Sequence, residues 1–386
     1  MNNPALSPSP VQRFLSLDVL RGITIAFMIM VNNNGGDGAW WFMKHANWNG
    51  LTPTDLVFPT FVFVVGVSVV FAFEARLAKG AARAQLAKHT LIRACVLALF
   101  GQLINSFPFF ELVHMRFYGV LQRIALCYLI VGIFYLYDRR LWTKIAALVF
   151  ALVGYWVLVR WVPIPGVGVP GRDVPFMDMS QNLVSWLDRH IFPYHLYLES
   201  PDHNLRDPEG LLSCLPAVGT ALLGVLTGMW LRTARSVGKK NLGLAAGAAI
   251  CLALGYLWSL EFPLNKNMWT SSFVLVAAGW SLTLFTLCFW AVEVMGWRKV
   301  WTWPWLVFGS NAIAAYMFSE LSPGIMWNVH FMDDGKKTQI IDFYFRHVCA
   351  HISNPGWQAF SYAFSFTAFC FIPVWILYRK KIFLKV

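Results

Sequence analysis

Charge is scarce in this chain. Asp, Glu, Lys and Arg make up 13% of its 386 residues, while hydrophobic residues make up 58%. A soluble domain carries about 25% charged residues, so an ordinary soluble globule and a disordered chain are both excluded. The seven cysteines, at 95, 127, 214, 251, 288, 349 and 370, form no C-x-x-C pair and no metal-ligand spacing. Neither a disulfide framework nor a metal is therefore expected. The chain has no P-loop, G-x-S-x-G, H-E-x-x-H or strand-borne Rossmann glycine pattern, which argues against an ATP-driven pump. Residues 1–12 lack the basic start of a secretory leader, and the first apolar run holds Asp18 and Arg21 with no A-x-A site after it. That run is expected to remain as the first membrane helix, behind a flexible N-terminal segment 1–14.

What the chain does have is apolar runs of about 20 residues along its whole length, the signature of transmembrane helices. The reading is an all-α polytopic membrane protein, one bundle and one domain over 1–386. Ten spans are predicted: 15–33, 55–73, 91–108, 118–137, 142–162, 210–231, 242–260, 270–291, 303–321 and 357–378. Loops 163–209 and 322–356 lie between them. The net charge is +12, which in a membrane protein reads first as cytoplasmic Lys and Arg and not as nucleic-acid binding. Basic residues fall about twice as often on the side holding 76–88, 139–144, 232–240 and 379–385 as on the other. The positive-inside rule then puts both termini in the cytoplasm and the loop holding His45 outside. No inverted repeat and no interrupted midplane helix stands out.

That loop, 44–59, is the most informative stretch. It places a histidine, two asparagines, Trp48 and Asp55 between two membrane-length apolar segments, and ionisable groups at a bilayer edge are functional candidates. An imidazole with an ordinary pKa near 6.5 can accept a proton near neutral pH; the alternative for His45 is a solvated loop residue. Arg21 and Asn32 are eleven positions apart on the first span. This is three helical turns plus about 20°, so they share a face and stand roughly 16 Å apart along the axis. Asp18 is placed to pair with Arg21. Arg21 either serves a ligand or snorkels to headgroups, and Asn32, Asn33 and Asn34 exceed what a helix cap needs. Gln122 and Arg123 sit in the outer third of the fourth span, where an Arg faces a partner, a cavity or headgroups. Asp207-Pro208-Glu209-Gly210 reads most simply as an N-cap, an N1 proline and a first-turn acid for the sixth span. Asn265-Lys266-Asn267-Met268-Trp269 is either a sugar- or anion-binding segment or a polar connector. Asn311 and Glu320 bring hydrogen-bonding groups into the ninth span, and a Glu there needs a use or a partner.

Several stretches, in order, carry a resemblance: SLDVLRG (16–22), VNNNGG (31–36), KHANWNGLTPTDLVFPTFVF (44–63), GVLQRIA (119–125), DPEGLL (207–212), NKNMWTSSF (265–273), FGSNAI (308–313) and LYRKKIFLKV (377–386). Together they resemble the heparan-α-glucosaminide N-acetyltransferase family and its bacterial members. The resemblance implies transfer of acetyl from cytosolic acetyl-CoA, with no metal, to the amine of a glucosamine across the membrane. The setting it implies here is a bacterial inner membrane, with the reactive loop facing the periplasm. It maps the catalytic histidine onto His45 and the asparagine ending the preceding helix onto Asn32, with Asn33 and Asn34 as neighbouring choices. It also implies a homodimer. Where the family has a His before its ninth-span Glu, this chain has Ser319 before Glu320. On this reading Asp18, Arg21, Asn33, Asn34, Gln122, Arg123 and Asn311 are expected at acetyl-CoA. Trp48, Asn49, Asp55, Asp207, Glu209, Asn265, Lys266, Trp269 and Glu320 are expected at the acceptor. Two other functions fit the same residues: O-acetylation of a cell-surface or lipid-linked glycan, and transport of an amino sugar.

Overall fold

The computed structural model describes residues 14–111, 115–197, 205–298 and 300–384. Most of the expected N-terminal segment, residues 1–13, and the last two residues of the tail motif lie outside the described residues. The helices are α1 (Leu15–Asn32), α2 (Val57–Leu77), α3 (Arg83–Ser106), α4 (Val120–Tyr137), α5 (Leu141–Val149), α6 (Tyr155–Trp161), α7 (Leu183–Ile191), α8 (Cys214–Leu231), α9 (Val237–Trp258), α10 (Ser271–Phe289), α11 (Trp303–Ser310), α12 (Ala312–Asn328), α13 (Ile340–His347) and α14 (Pro355–Arg379). A π-type turn, Phe150–Gly154, joins α5 to α6 into one rod. The all-α polytopic reading holds. Among the described residues, nine helical stretches are long and apolar enough to cross a membrane.

Burial sorts these helices. In α1, α2, α8 and α10 some 67–72% of the apolar window is buried, whereas in α3, α9 and α14 it is 22–28%. The first group forms the middle of the bundle, and the second presents a broad apolar face outward. Without a hydrophobic force between helices in lipid, close packing through small residues supplies the cohesion. On α1 a Cβ at Gly22 would collide with the Trp305 carbonyl of α11, and one at Gly309 of α11 would collide with the Asp18 carbonyl of α1. The two glycines thus let two backbones touch, and this fixes where α11 and α12 stand beside α1.

The ninth span differs from expectation. It is present as α11 and α12, interrupted at Asn311 (φ −131°, ψ 42°), so an interrupted helix does exist. At this break the Asn311 side chain leaves the helix axis for the C-terminal tail. The Asn311 amide donates to the Ile382 carbonyl (3.1 Å), and its oxygen accepts from the Leu384 N–H (3.0 Å), so the break pins the C-terminal tail. The sixth span begins at Cys214, not at 210. Asp207 therefore does not cap it and Pro208 is not at its N1, which overturns the capping reading of that segment. The loop 322–356 is partly regular: β1 (His330–Asp333) pairs antiparallel with β2 (Lys336–Gln339) through Asp334-Gly335, both at positive φ. This is the Asp-Gly hairpin turn.

Candidate active site

The 44–59 loop is built around Asp55. The turn Pro53–Leu56 leads into α2 with Thr52 at its cap, and Asp55 answers with a reciprocal capping box. Its Oδ2 accepts from the Ala46 N–H (3.1 Å), the Thr52 N–H (3.0 Å) and the Thr52 hydroxyl (3.0 Å). Its Oδ1 lies 2.7 Å from His45 Nδ1. Asp55 is 1% exposed, while the imidazole is 48% exposed. A carboxylate can only accept, so Nδ1 carries the hydrogen and the lone pair sits on Nε2. The buried acid therefore fixes both tautomer and ring orientation.

Lys266 completes the centre. Its Nζ is 3.2 Å from Nδ1 and 3.1 Å from Nε2 of His45. Burial, and then the Lys266 charge, move the His45 pKa below 6.5, against the opposing pull of Asp55 and Glu209. The Lys266 ammonium is itself disfavoured by burial, opposed by Glu209 and Asp55. The segment bearing Lys266 is held at many points. Asn265 donates to Asn49 Oδ1 (3.1 Å) and accepts from the Met268 N–H (2.8 Å). Trp269, fully buried, adopts φ +54° and donates its indole N–H to Thr220 (3.1 Å). A non-glycine residue in that region is strained and persists only where its surroundings over-determine it.

Around this centre lies a buried ionic cluster. Arg116 grips Asp207 through two bonds, Nε to Oδ2 at 2.8 Å and NH2 to Oδ1 at 2.6 Å, and also bonds Glu209. Burial alone would lower the Arg116 pKa, but the two carboxylates outweigh it and hold the guanidinium above its ordinary value. Arg123 bonds the Ser213 hydroxyl and the Gly210 carbonyl, and its guanidinium lies 4.8 Å over the Trp269 ring. Trp48 donates to the Met177 carbonyl (2.8 Å) beneath the Arg206 guanidinium. Arg116 carried no local signal in the sequence; its partners lie about ninety positions away.

The other end of α1 carries a second site. Arg21 bonds Asp18 (3.1 Å), the Gly309 carbonyl (3.3 Å) and the Ser68 hydroxyl (2.9 Å). It lines a cavity of about 310 Å³ together with Arg76, Arg93, Tyr128 and Ser310. Arg76 and Arg93 are on α2 and α3, and only the fold brings them to Arg21. A small separate space of about 10 Å³, walled by Ile25, Met28, Val120 and Tyr316, adjoins this cavity; the two share Phe61, Leu121, Ile124 and Ile313 as walls. Positions 21, 25, 28 and 32 lie on one face of α1. They run from the cavity, past the small space, to Asn32. On α12, positions 313, 316 and 320 do the same. At the far end the two faces meet, where Asn32 Nδ2 donates to Glu320 Oε1 (2.9 Å).

The remaining expected residues are placed as follows. Asn33 donates to the Ile29 carbonyl (3.3 Å), and Asn34 bonds the Met43 carbonyl and the Gly36 N–H (3.0 Å each). Both side chains are occupied in shaping the turn into the loop. Gln122 packs against Gly101 and Gly119. It and Arg123 do not line the inner cavity, whereas Asn311 lies beside it through Ser310 and Leu384.

Residues 13–178 match the family model described as "Heparan-alpha-glucosaminide N-acetyltransferase, catalytic". The protein "Heparan-alpha-glucosaminide N-acetyltransferase" of Homo sapiens is 27% identical over 427 aligned residues, covering 97% of this chain and 60% of its own length. Its Mus musculus counterpart is 24% identical over 436, covering 99% and 62%. The chain thus spans about three fifths of the curated relatives it matches. The resemblance read from the motifs stands, and the matched segment contains Arg21, Asn32, His45, Asp55 and Arg123.

Proposed function

With that likeness to transmembrane acetyltransferases as the premise, we propose that the chain moves an acetyl group from cytosolic acetyl-CoA to the amine of a glucosamine-type sugar on the periplasmic face of a bacterial inner membrane. The carrying observation is the pair of helix faces, 21/25/28/32 and 313/316/320, that join a three-arginine cavity to the Asn32–Glu320 contact. The arginines suit the phosphates of a coenzyme A, since guanidinium groups bind phosphate oxygens in planar pairs. The apolar strip matches the chemistry of an extended pantetheine arm, and about 16 Å of helix separates its ends, but its space of about 10 Å³ has to widen to admit one.

At the outer end each residue has a chemical part. His45 is neutral at physiological pH, and its Nε2 takes the proton of the attacking amine. Asp55 stabilises the imidazolium that forms. Asn32 uses one amide N–H on Glu320, which fixes its plane, and the second is free for the oxyanion of the tetrahedral intermediate. Collapse breaks the C–S bond and returns the thiolate. Glu209 and Trp48 form the acceptor side of the centre, with both termini cytoplasmic and the described helices acting as a single transmembrane acyltransferase domain. A second copy of the chain as homodimer partner is part of the same reading.

The test is to incubate purified protein with labelled acetyl-CoA and a panel of amino sugars. Base-stable label on an amino sugar is expected; base-labile ester label would move the function to O-acetylation. The break at Asn311 favours one other reading, amino-sugar transport, because many secondary transporters build their substrate sites at interrupted helices. Sugar uptake into vesicles lacking acetyl-CoA, with no acetylated product, would establish that reading instead.

A further inference from the structure

The geometry points to Lys266 as an acetyl acceptor within the protein itself: without a sugar amine, its ε-amine receives the acetyl group at the catalytic centre. This inference rests on the proposed function. The reaction class demands a primary amine poised against the imidazole that takes its proton. Lys266 Nζ is a primary amine that stands 3.1 Å from His45 Nε2 and 3.2 Å from Nδ1, over the imidazole face, so a small side-chain rotation brings it onto the Nε2 lone pair, within the reach a general base needs. It stands beside the place an acceptor amine must take.

Two further features fit a reactive lysine rather than a solvated one. Its segment is held by Asn49, Thr220 and the strained Trp269, so the amine does not wander. Burial and the nearby Arg123 also favour its neutral, nucleophilic form, though Glu209 and Asp55 oppose this. By contrast, Lys44, the lysine of the reactive loop itself, donates to the Asp37 carbonyl (2.5 Å).

The step balances. The neutral amine attacks the thioester carbonyl, its proton passes to His45, the C–S bond breaks, and the thiolate is protonated by the imidazolium. The products are an amide at Lys266 and free coenzyme A. The modified side chain has no charge and no basic nitrogen, and it lies across Nε2, so it blocks the site until it swings away. A sugar amine prevents the reaction by displacing Lys266.

The experiment incubates the full chain with labelled acetyl-CoA and maps acetylated positions by mass spectrometry. It compares wild type alone, wild type with saturating glucosamine, His45→Ala, and His45→Gln, which keeps polar bulk should the alanine variant fail to fold. Expected is acetyl on Lys266 in wild type alone, lost with glucosamine and lost in a folded His45 variant. Exposed Lys336 and Lys337 report uncatalysed background. Acetylation of glucosamine with none at Lys266 overturns the inference and leaves the proposed function standing. Label at Lys266 that is equal in the His45 variants and equal to background also overturns it. Label on neither sugar nor protein overturns both.

Discussion

At the scale of single residues, the proposed chemistry rests on one imidazole and its two neighbours. Removing the base by His45→Ala is expected to lower turnover by roughly 10²–10⁴-fold, the usual worth of a general base, with acetyl-CoA binding retained; turnover assays alongside binding measurements check this. The pH dependence separates the neighbours. Burial and Lys266 depress the His45 pKa, so the acid limb of kcat/KM should fall below pH 6.5. Lys266→Met removes a repulsion and should move that limb to higher pH. Asp55→Asn removes an attraction and should move it lower. Opposite shifts in one pH-rate series support the assignment, and identical limbs in all three proteins refute it. This triad was half legible. His45 and Asp55 share one loop, but the sequence assigned Asp55 to the acceptor; its bond to Nδ1, like the approach of Lys266, is a product of the fold. Arg116 was missed for the same reason, since its partners Asp207 and Glu209 lie about ninety positions along the chain.

At the scale of elements, helix contacts and the outer segment hold the two ends in place. Gly22→Val should push α11 from α1, at a cost of about 1–3 kcal/mol or more for overpacking, seen as a lower melting temperature in detergent and weaker acetyl-CoA binding. The α7 segment makes a different prediction. Asp188 is fully buried and accepts from the Leu211 N–H (2.9 Å). Burial first, and then Asp207, raise its pKa to about 7, with the Leu211 bond opposing. A carboxyl raised above its unfolded value of about 3.9 stabilises the fold fully below that value, and the contribution is lost as pH rises through 7. Melting temperature should fall between pH 5 and 8 in the wild type and fall less in Asp188→Asn. The helices themselves were legible because apolar length writes them directly into the sequence. The interruption at Asn311 was not, because the partners of its side chain are in a tail about seventy residues onward, and the run stays apolar across it. The start of α8 was misread because Asp-Pro-Glu-Gly imitates a cap, while its carboxylates in fact bind Arg116.

At the scale of the whole molecule, the account is vectorial: a basic cavity at one end, an imidazole at the other, and two helix faces between. Composition and charge placement reveal a polytopic membrane protein and suggest its orientation, yet the connection between the ends appears only when α1 and α12 are seen side by side. The most direct measurement uses sealed proteoliposomes of known protein orientation, with labelled acetyl-CoA on the side of Arg21 and glucosamine on the side of His45. The account predicts N-acetylglucosamine on the His45 side and its loss in His45→Ala. Product formed only when both reactants share one side, or formed equally by His45→Ala, would contradict it.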